Sequence, residues 1–148
     1  MFPNAKASEM LAIVATIDPA SQAAGTVSTA WVSVANYLGF LAIVQTGVLG
    51  TSATVDAKLQ QALDSAGTSA KDISGKALTQ IVKATGDNKQ ALINVKPEEL
   101  DTVNGFGFIR VSLAVGAAAS VTSAQLFGVN PRYVPAEVGN QAAVVQVL

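Results

Sequence analysis

Three carboxylates stand close together at Glu98, Glu99 and Asp101, the densest acidic cluster in the chain. Two carboxyl groups can act as acid and base on a glycoside only when they face each other across the substrate, about 5 to 9.5 Å apart. Neighbours on one exposed turn point apart into water, where the two glutamates favour the positive end of the turn's dipole. This spacing therefore predicts a solvated turn and no catalytic pair. A second acidic series, Asp56, Asp64 and Asp72, includes the loop Asp64-Ser65-Ala66-Gly67-Thr68. A calcium loop of the EF-hand type needs oxygen ligands at alternate positions and a closing glutamate, and this loop has neither. Asp64 is expected instead to bind nearby backbone amides of its own turn, and no metal site is predicted.

The chain contains neither histidine nor cysteine. Ser-His-Asp and Cys-His catalysis, zinc sites of the usual ligand set and disulfides are thereby excluded. Gly105-Phe106-Gly107-Phe108 matches no dinucleotide or phosphate loop, because no glycine-rich turn leads from a strand into a helix. Phe106 and Phe108 have no basic cluster beside them and read as core anchors. Trp31 has the ring type that grips sugars. Its alternation with Val27 and Thr29 points instead to a packed or interface position. No catalytic residue and no cofactor are expected.

The elements that hold these residues follow from composition and pattern. The 148 residues are 50% hydrophobic and 13% charged, with nine basic and ten acidic side chains giving a net charge of −1. That balance excludes a disordered chain, and without a basic stripe no nucleic-acid partner is expected. No charge occurs from residue 19 to residue 55, yet the longest strictly apolar run there is Phe40-Leu41-Ala42-Ile43-Val44. A bilayer core needs about 20 predominantly apolar residues in a helix, so buried strands are expected and no membrane partner. The opening Met1-Phe2-Pro3-Asn4-Ala5-Lys6 has no basic start leading into an apolar run, so no signal peptide is expected.

Short apolar runs separated by turn residues predict an all-β, two-sheet sandwich of jelly-roll type. The first run spans 11–17 and should stop at Asp18-Pro19, a pair that cannot continue a ladder. A strand over 26–34 follows. Residues 40–46 are apolar on both sides, which predicts a central strand covered by another layer. In 55–63, Val55, Ala57, Leu59 and Leu63 alternate with Asp56, Lys58 and Gln60, giving one core face and one wet face. Residues 73–82 fit both periods and are assigned to strand despite Gly75. A strand at 91–95 precedes one short helical turn at Pro97. Residues 108–115 place Ile109, Val111, Leu113 and Val115 inward against Arg110 and Ser112, and 121–129 form the last strand. One domain is predicted over 1–148, with a short N-terminal arm (1–8) and an extended C-terminal arm (132–148).

Strand, polar turn and strand over 53–73 (ATVDAKLQQALDSAGTSAKDI), with 104–115 (NGFGFIRVSLAV) and Phe127-Gly128-Val129-Asn130-Pro131-Arg132-Tyr133, resemble small structural proteins of tailed bacteriophages. The resemblance covers most of residues 11–133 and has no catalytic identities. It implies a virion protein of capsid decoration, cement or minor-capsid type, with the major capsid protein as partner. Head-tail or tail-associated components belong to the same reading. A carbohydrate-binding or adhesin module shares the strand-turn-strand look and is the alternative. Few charges and abundant apolar residues imply apolar surface that self-association as a dimer or trimer would cover. The partner-contact candidates are Trp31, then Arg132 and Tyr133 at the hinge of the C-terminal arm, and Val144, Val145, Val147 and Leu148 at its end. This uncharged end is an aggregation hazard unless it adds to a neighbour's sheet edge or closes an edge of its own sandwich.

Overall fold

The computed structural model describes residues 4–148. Ten strands follow one another: β1 (Leu11–Gln22), β2 (Gly25–Ser28), β3 (Val32–Ser33), β4 (Tyr37–Thr46), β5 (Thr54–Ala62), β6 (Lys71–Ala77), β7 (Ile81–Val82), β8 (Gln90–Val95), β9 (Phe108–Gly116) and β10 (Ser120–Pro131). They form a first sheet in the order β1-β10-β4-β8 and a second in the order β2-β9-β5-β6. All pairings are antiparallel. The short β3 continues the line of β2 along β9, and β7 continues that of β6 along β5. Taking each broken line once leaves eight strand positions that cross between the sheets at every step except from β5 to β6, the arrangement of a jelly roll.

The core lies between the sheets and follows the period of two. Ala12, Ala42, Val44, Ile93 and Leu126 reach it from the first sheet, and Val55, Leu59, Ile109, Val111 and Leu113 from the second. Each large aliphatic side chain buried there contributes about 1.5–3 kcal/mol relative to exposure. Asp56, Lys58, Gln60, Arg110 and Ser112 occupy the alternate positions, and so share the outer face of the second sheet.

Several expectations are corrected. Asp18-Pro19 does not stop β1, which runs on to Gln22 through a register slip between Ile17 and Ala20. β1 is an edge strand, where proline's missing N–H breaks no ladder. The strand expected over 26–34 is divided because buried Thr29 takes over the pairing. Its hydroxyl accepts the Val111 N–H at 3.1 Å, and its own N–H donates to the Val111 carbonyl at 3.0 Å. Residues 73–82 also break, between β6 and β7, before a helical turn at Lys83–Gly86. Gly75, at φ +72°, lies in a bulge of β6 between Asp72 and Ala77, whose partners in β5 are Gln60 and Lys58. Glycine makes such a bulge accessible there.

β4 is central, between β10 and β8, but no second layer among the described residues covers its outer side. Leu41 and Ile43 are half-exposed there. The helical turn at Pro97–Glu99 is joined by single turns at Ala7–Met10, Thr102–Asn104 and Ala136–Gly139. Of the proposed N-terminal arm, Met1, Phe2 and Pro3 lie outside the described residues, and the Ala7–Met10 turn leads into β1. The C-terminal segment is not wholly extended. Its turn buries Ala136 in the core, and Asn140 and Gln141 then bond along the free edge of β1.

Candidate functional site

The outer face of the second sheet carries a groove of about 570 Å³. Its shape follows from side-chain length. Ser28, Ser112 and Ala114 are short and lie on the side where the edge strand β2 pairs with β9. Arg110, Gln60, Lys58 and Asp72 are longer and rise beside them. Cross-strand register sets Gln60 opposite Arg110 on one side and opposite Asp72 on the other.

These side chains form one connected network. Arg110 Nε donates to Gln60 Oε1 at 2.9 Å, and Gln60 Nε2 donates to Asp72 Oδ1 at 2.8 Å. Lys58 Nζ pairs with Asp72 Oδ2 at 2.8 Å. Hydrogen bonds from Lys58 and then Gln60 hold the Asp72 carboxyl below its usual range. Nearby, Gln80 Nε2 donates to Asp56 Oδ2 at 2.9 Å. A glycosidase acid needs a raised pKa so that it carries a proton at neutral pH, the opposite of what Asp72 has. The groove is chemically a set of fixed donors and acceptors.

Trp31 lies at the Arg110 end. The Arg110 guanidinium sits 4.5 Å from the centroid of its ring, a cation–π contact on a half-buried indole. Its pyrrole edge packs close over Gly67, leaving no room for a Cβ there. Trp31 thus leaves the inward row of Val27 and Thr29, because the break after β2 turns it toward an outward-facing residue. The sequence shows an isolated tryptophan and an isolated arginine. Only the pairing of β2 and β3 with β9 joins them.

The outer face of the first sheet has the opposite character. Ile13 pairs with Phe127 and Phe127 with Leu41, while Ile43 pairs with Leu92 and Leu11 with Val129. Leu92 is 58% exposed, and Ile13, Leu41, Ile43, Phe127 and Val129 are half-exposed outside the core cluster. Sequence reasoning missed this apolar stripe, since it took β4 to be covered on both sides. Its signal was the unbroken apolar run at 40–44.

The other predicted residues are scattered. Arg132 and Tyr133 are exposed just after β10, and Arg132 N–H donates to the Asn36 carbonyl at 2.9 Å. Val144 is half-exposed and its N–H donates to the Gln141 carbonyl, while Val145, Val147 and Leu148 are exposed and belong to no strand. Asp64 closes its own turn by accepting N–H groups of Ala66 and Thr68 and the Thr68 hydroxyl. Glu99 pairs with Lys76 and Asp101 with Lys71. Phe106 is buried beneath the Lys71 ammonium, and Phe108 is half-buried.

No family model and no curated protein matches the chain. Among solved structures it is similar to a family 4 carbohydrate-binding module at 14% identity, covering 81% of this chain and 79% of that one, with a TM-score of 0.41. It is similar to a chain of the Cowpea Mosaic Virus empty virus-like particle at 12% identity, covering 88% and 85%, also with a TM-score of 0.41. A third is TmCBM61, solved with beta-1,4-galactotriose, at 13% identity and a TM-score of 0.34. The match covers 70% of this chain and 63% of TmCBM61.

The two sheet faces therefore present different chemistries on one body. One is a polar groove and the other an apolar stripe. Among the described residues, no cluster of three acidic groups could hold a metal ion, and no helix is long and apolar enough to cross a membrane.

Proposed function

We propose that this chain is a non-enzymatic structural protein of a tailed-phage virion, of decoration or minor-capsid type, attaching to the major capsid protein through the outer face of its first sheet. The observation that carries this reading is the stripe of Ile13, Leu41, Ile43, Leu92 and Phe127 on the outer side of the first sheet, with Leu92 exposed and the others half-exposed outside the core cluster. Contiguous apolar surface of this kind marks an interaction site. The resemblance of 53–73, 104–115 and 127–133 to phage structural proteins supplies the setting. The same face supports self-association as a dimer or trimer, the other way to remove it from water.

The test uses particles of the phage that encodes the chain. Purified particles should contain it in fixed stoichiometry. Particles made without it should take up the added wild type but not a Leu41→Lys/Phe127→Glu variant. Absence of the chain from mature particles, or equal uptake of the variant, overturns the reading.

A further inference from the structure

We propose that the groove on the outer face of the second sheet binds a neutral polyhydroxylated ligand, a segment of a glycan chain, as a function separate from attachment through the first sheet. Its volume of about 570 Å³ falls in the range of small-ligand sites, about 300–1,000 Å³. Size alone selects no ligand class. The charges of the lining do.

Lys58 and Arg110 bring two positive charges and Asp56 and Asp72 two negative ones, so the formal charge of the groove is zero. Lys58 is paired with Asp72, and Arg110 gives its Nε–H to Gln60 and stacks on the Trp31 ring, so neither cation stands without a neutralising carboxylate or a partner beside it. A phosphate or polyanion would have to compete with Asp72 for Lys58, close to an uncompensated carboxylate. A polycation would meet Lys58 and Arg110. An apolar ligand would strip water from four charged groups without replacing their hydrogen bonds, at a cost of several kcal/mol. The ligand that fits carries many hydroxyls and no charge.

Sugar hydroxyls both donate and accept, so they need donors and acceptors interleaved at short range. The groove presents them that way. Arg110 has five N–H donors and directs its Nε–H to Gln60, leaving its terminal nitrogens for a ligand. The Asp72 carboxylate accepts, and Ser28 and Ser112 can do either. Gln60 lies between Arg110 and Asp72 and fixes both planar groups, while the Trp31 face limits the motion of the guanidinium. Such preorganisation lowers the ordering cost of binding. The short side chains of Ser28, Ser112 and Ala114 leave room for a ring above the sheet.

Affinity electrophoresis in native gels containing soluble glucans, galactans, mannans or xylans tests this, with heparin as the anionic control. The wild type should be retarded by at least one neutral polysaccharide. Ala114→Leu fills the groove from an outward position and should weaken that retardation tenfold or more, with an unchanged circular dichroism spectrum. Arg110→Ala should do the same. The Leu41→Lys/Phe127→Glu variant, altered on the opposite sheet, should bind like the wild type, so failure of the attachment reading and failure of this one remain distinguishable. No retardation by any neutral polymer, retardation by heparin alone, or full retention of binding in folded Ala114→Leu protein overturns the proposal.

Discussion

Asn140 Oδ1 accepts the backbone N–H of Ile13 at 2.8 Å, joining residues 127 positions apart. The next residue completes the contact, since Gln141 N–H donates to the Ile13 carbonyl at 3.0 Å and Gln141 Nε2 reaches the Thr16 hydroxyl. The tail thus occupies backbone groups of β1 that an edge strand would otherwise offer to another chain. Asn140→Ala should cost about 1 kcal/mol by leaving the part-buried Ile13 N–H unpaired. Urea denaturation measures this loss. Removal of everything after Pro131 should cost more, because Ala136 leaves the core as well, and should raise turbidity on heating.

A second prediction compares two glycines on adjoining strands. A Cβ at Gly128 would come within 2.6 Å of the base of the Tyr37 ring, which is itself buried. A Cβ at Gly39 would meet nothing within 4 Å. Gly128→Ala should destabilise the protein by about 1–3 kcal/mol, the usual range for an overfilled core. Gly39→Ala should stay within about 0.5 kcal/mol of the wild type. Thermal melts of the two variants give the comparison directly.

The contrast between these glycines also shows what the sequence conceals. The alternation in 108–115 is visible because a two-residue period is local, and β9 presents Ile109, Val111, Leu113 and Val115 inward as expected. The sandwich class follows from the same local rule. The passage of β1 through Pro19 depends on its lying at an edge, and Thr29 splits a strand because Val111 lies opposite. Both are properties of the pairing partner. The groove network is hidden for the same reason. Gln60 and Arg110 are 50 residues apart and look like ordinary wet-face residues until β5 and β9 pair. The apolar run at 40–44 implied burial on both sides, and the structure leaves Leu41 and Ile43 half-exposed because the described residues put no outer layer on the first sheet.

Acid should weaken the fold. Asp72, Asp87, Glu99 and Asp101 each lie below their usual carboxylate range, mainly through hydrogen bonds from Lys58, Lys83, Lys76 and Lys71 respectively. Asp64 is lowered too, through the Thr68 hydroxyl first. The folded state therefore binds protons less readily than the unfolded one, and its extra stability is present above the ordinary values of 3.8 for Asp and 4.5 for Glu. It is lost as pH falls below them through the lowered values. The melting temperature should be flat from pH 7 to about 5 and fall below about 4. Asp87 also accepts the Leu49 N–H at 3.0 Å, so Asp87→Asn should lower stability at pH 7 and flatten the acid slope. An unchanged slope in that variant would remove Asp87 from this account.

Association through the apolar outer face can be separated from folding by choosing substitutions that face each other. Leu41 and Phe127 are direct partners across β4 and β10, and both point away from the core. Replacing them with Lys and Glu puts opposite charges on neighbouring strands, a pairing that contributes about 0.2–1 kcal/mol relative to alanines. The folded monomer should lose little stability, since neither side chain belongs to the core cluster. A second copy, by contrast, would have to desolvate two charges where the wild type buries an aliphatic and an aromatic group. Light scattering at micromolar concentration should give a dimer or trimer for the wild type and a monomer for Leu41→Lys/Phe127→Glu, with melting temperatures within a few degrees after allowing for the lost association. A wild type that stays monomeric, or a variant that associates as strongly, would move self-association away from this face. The exposed Val145, Val147 and Leu148 would then be the next candidates, and removal of residues 142–148 would test them while keeping the bonds of Asn140 and Gln141 to β1.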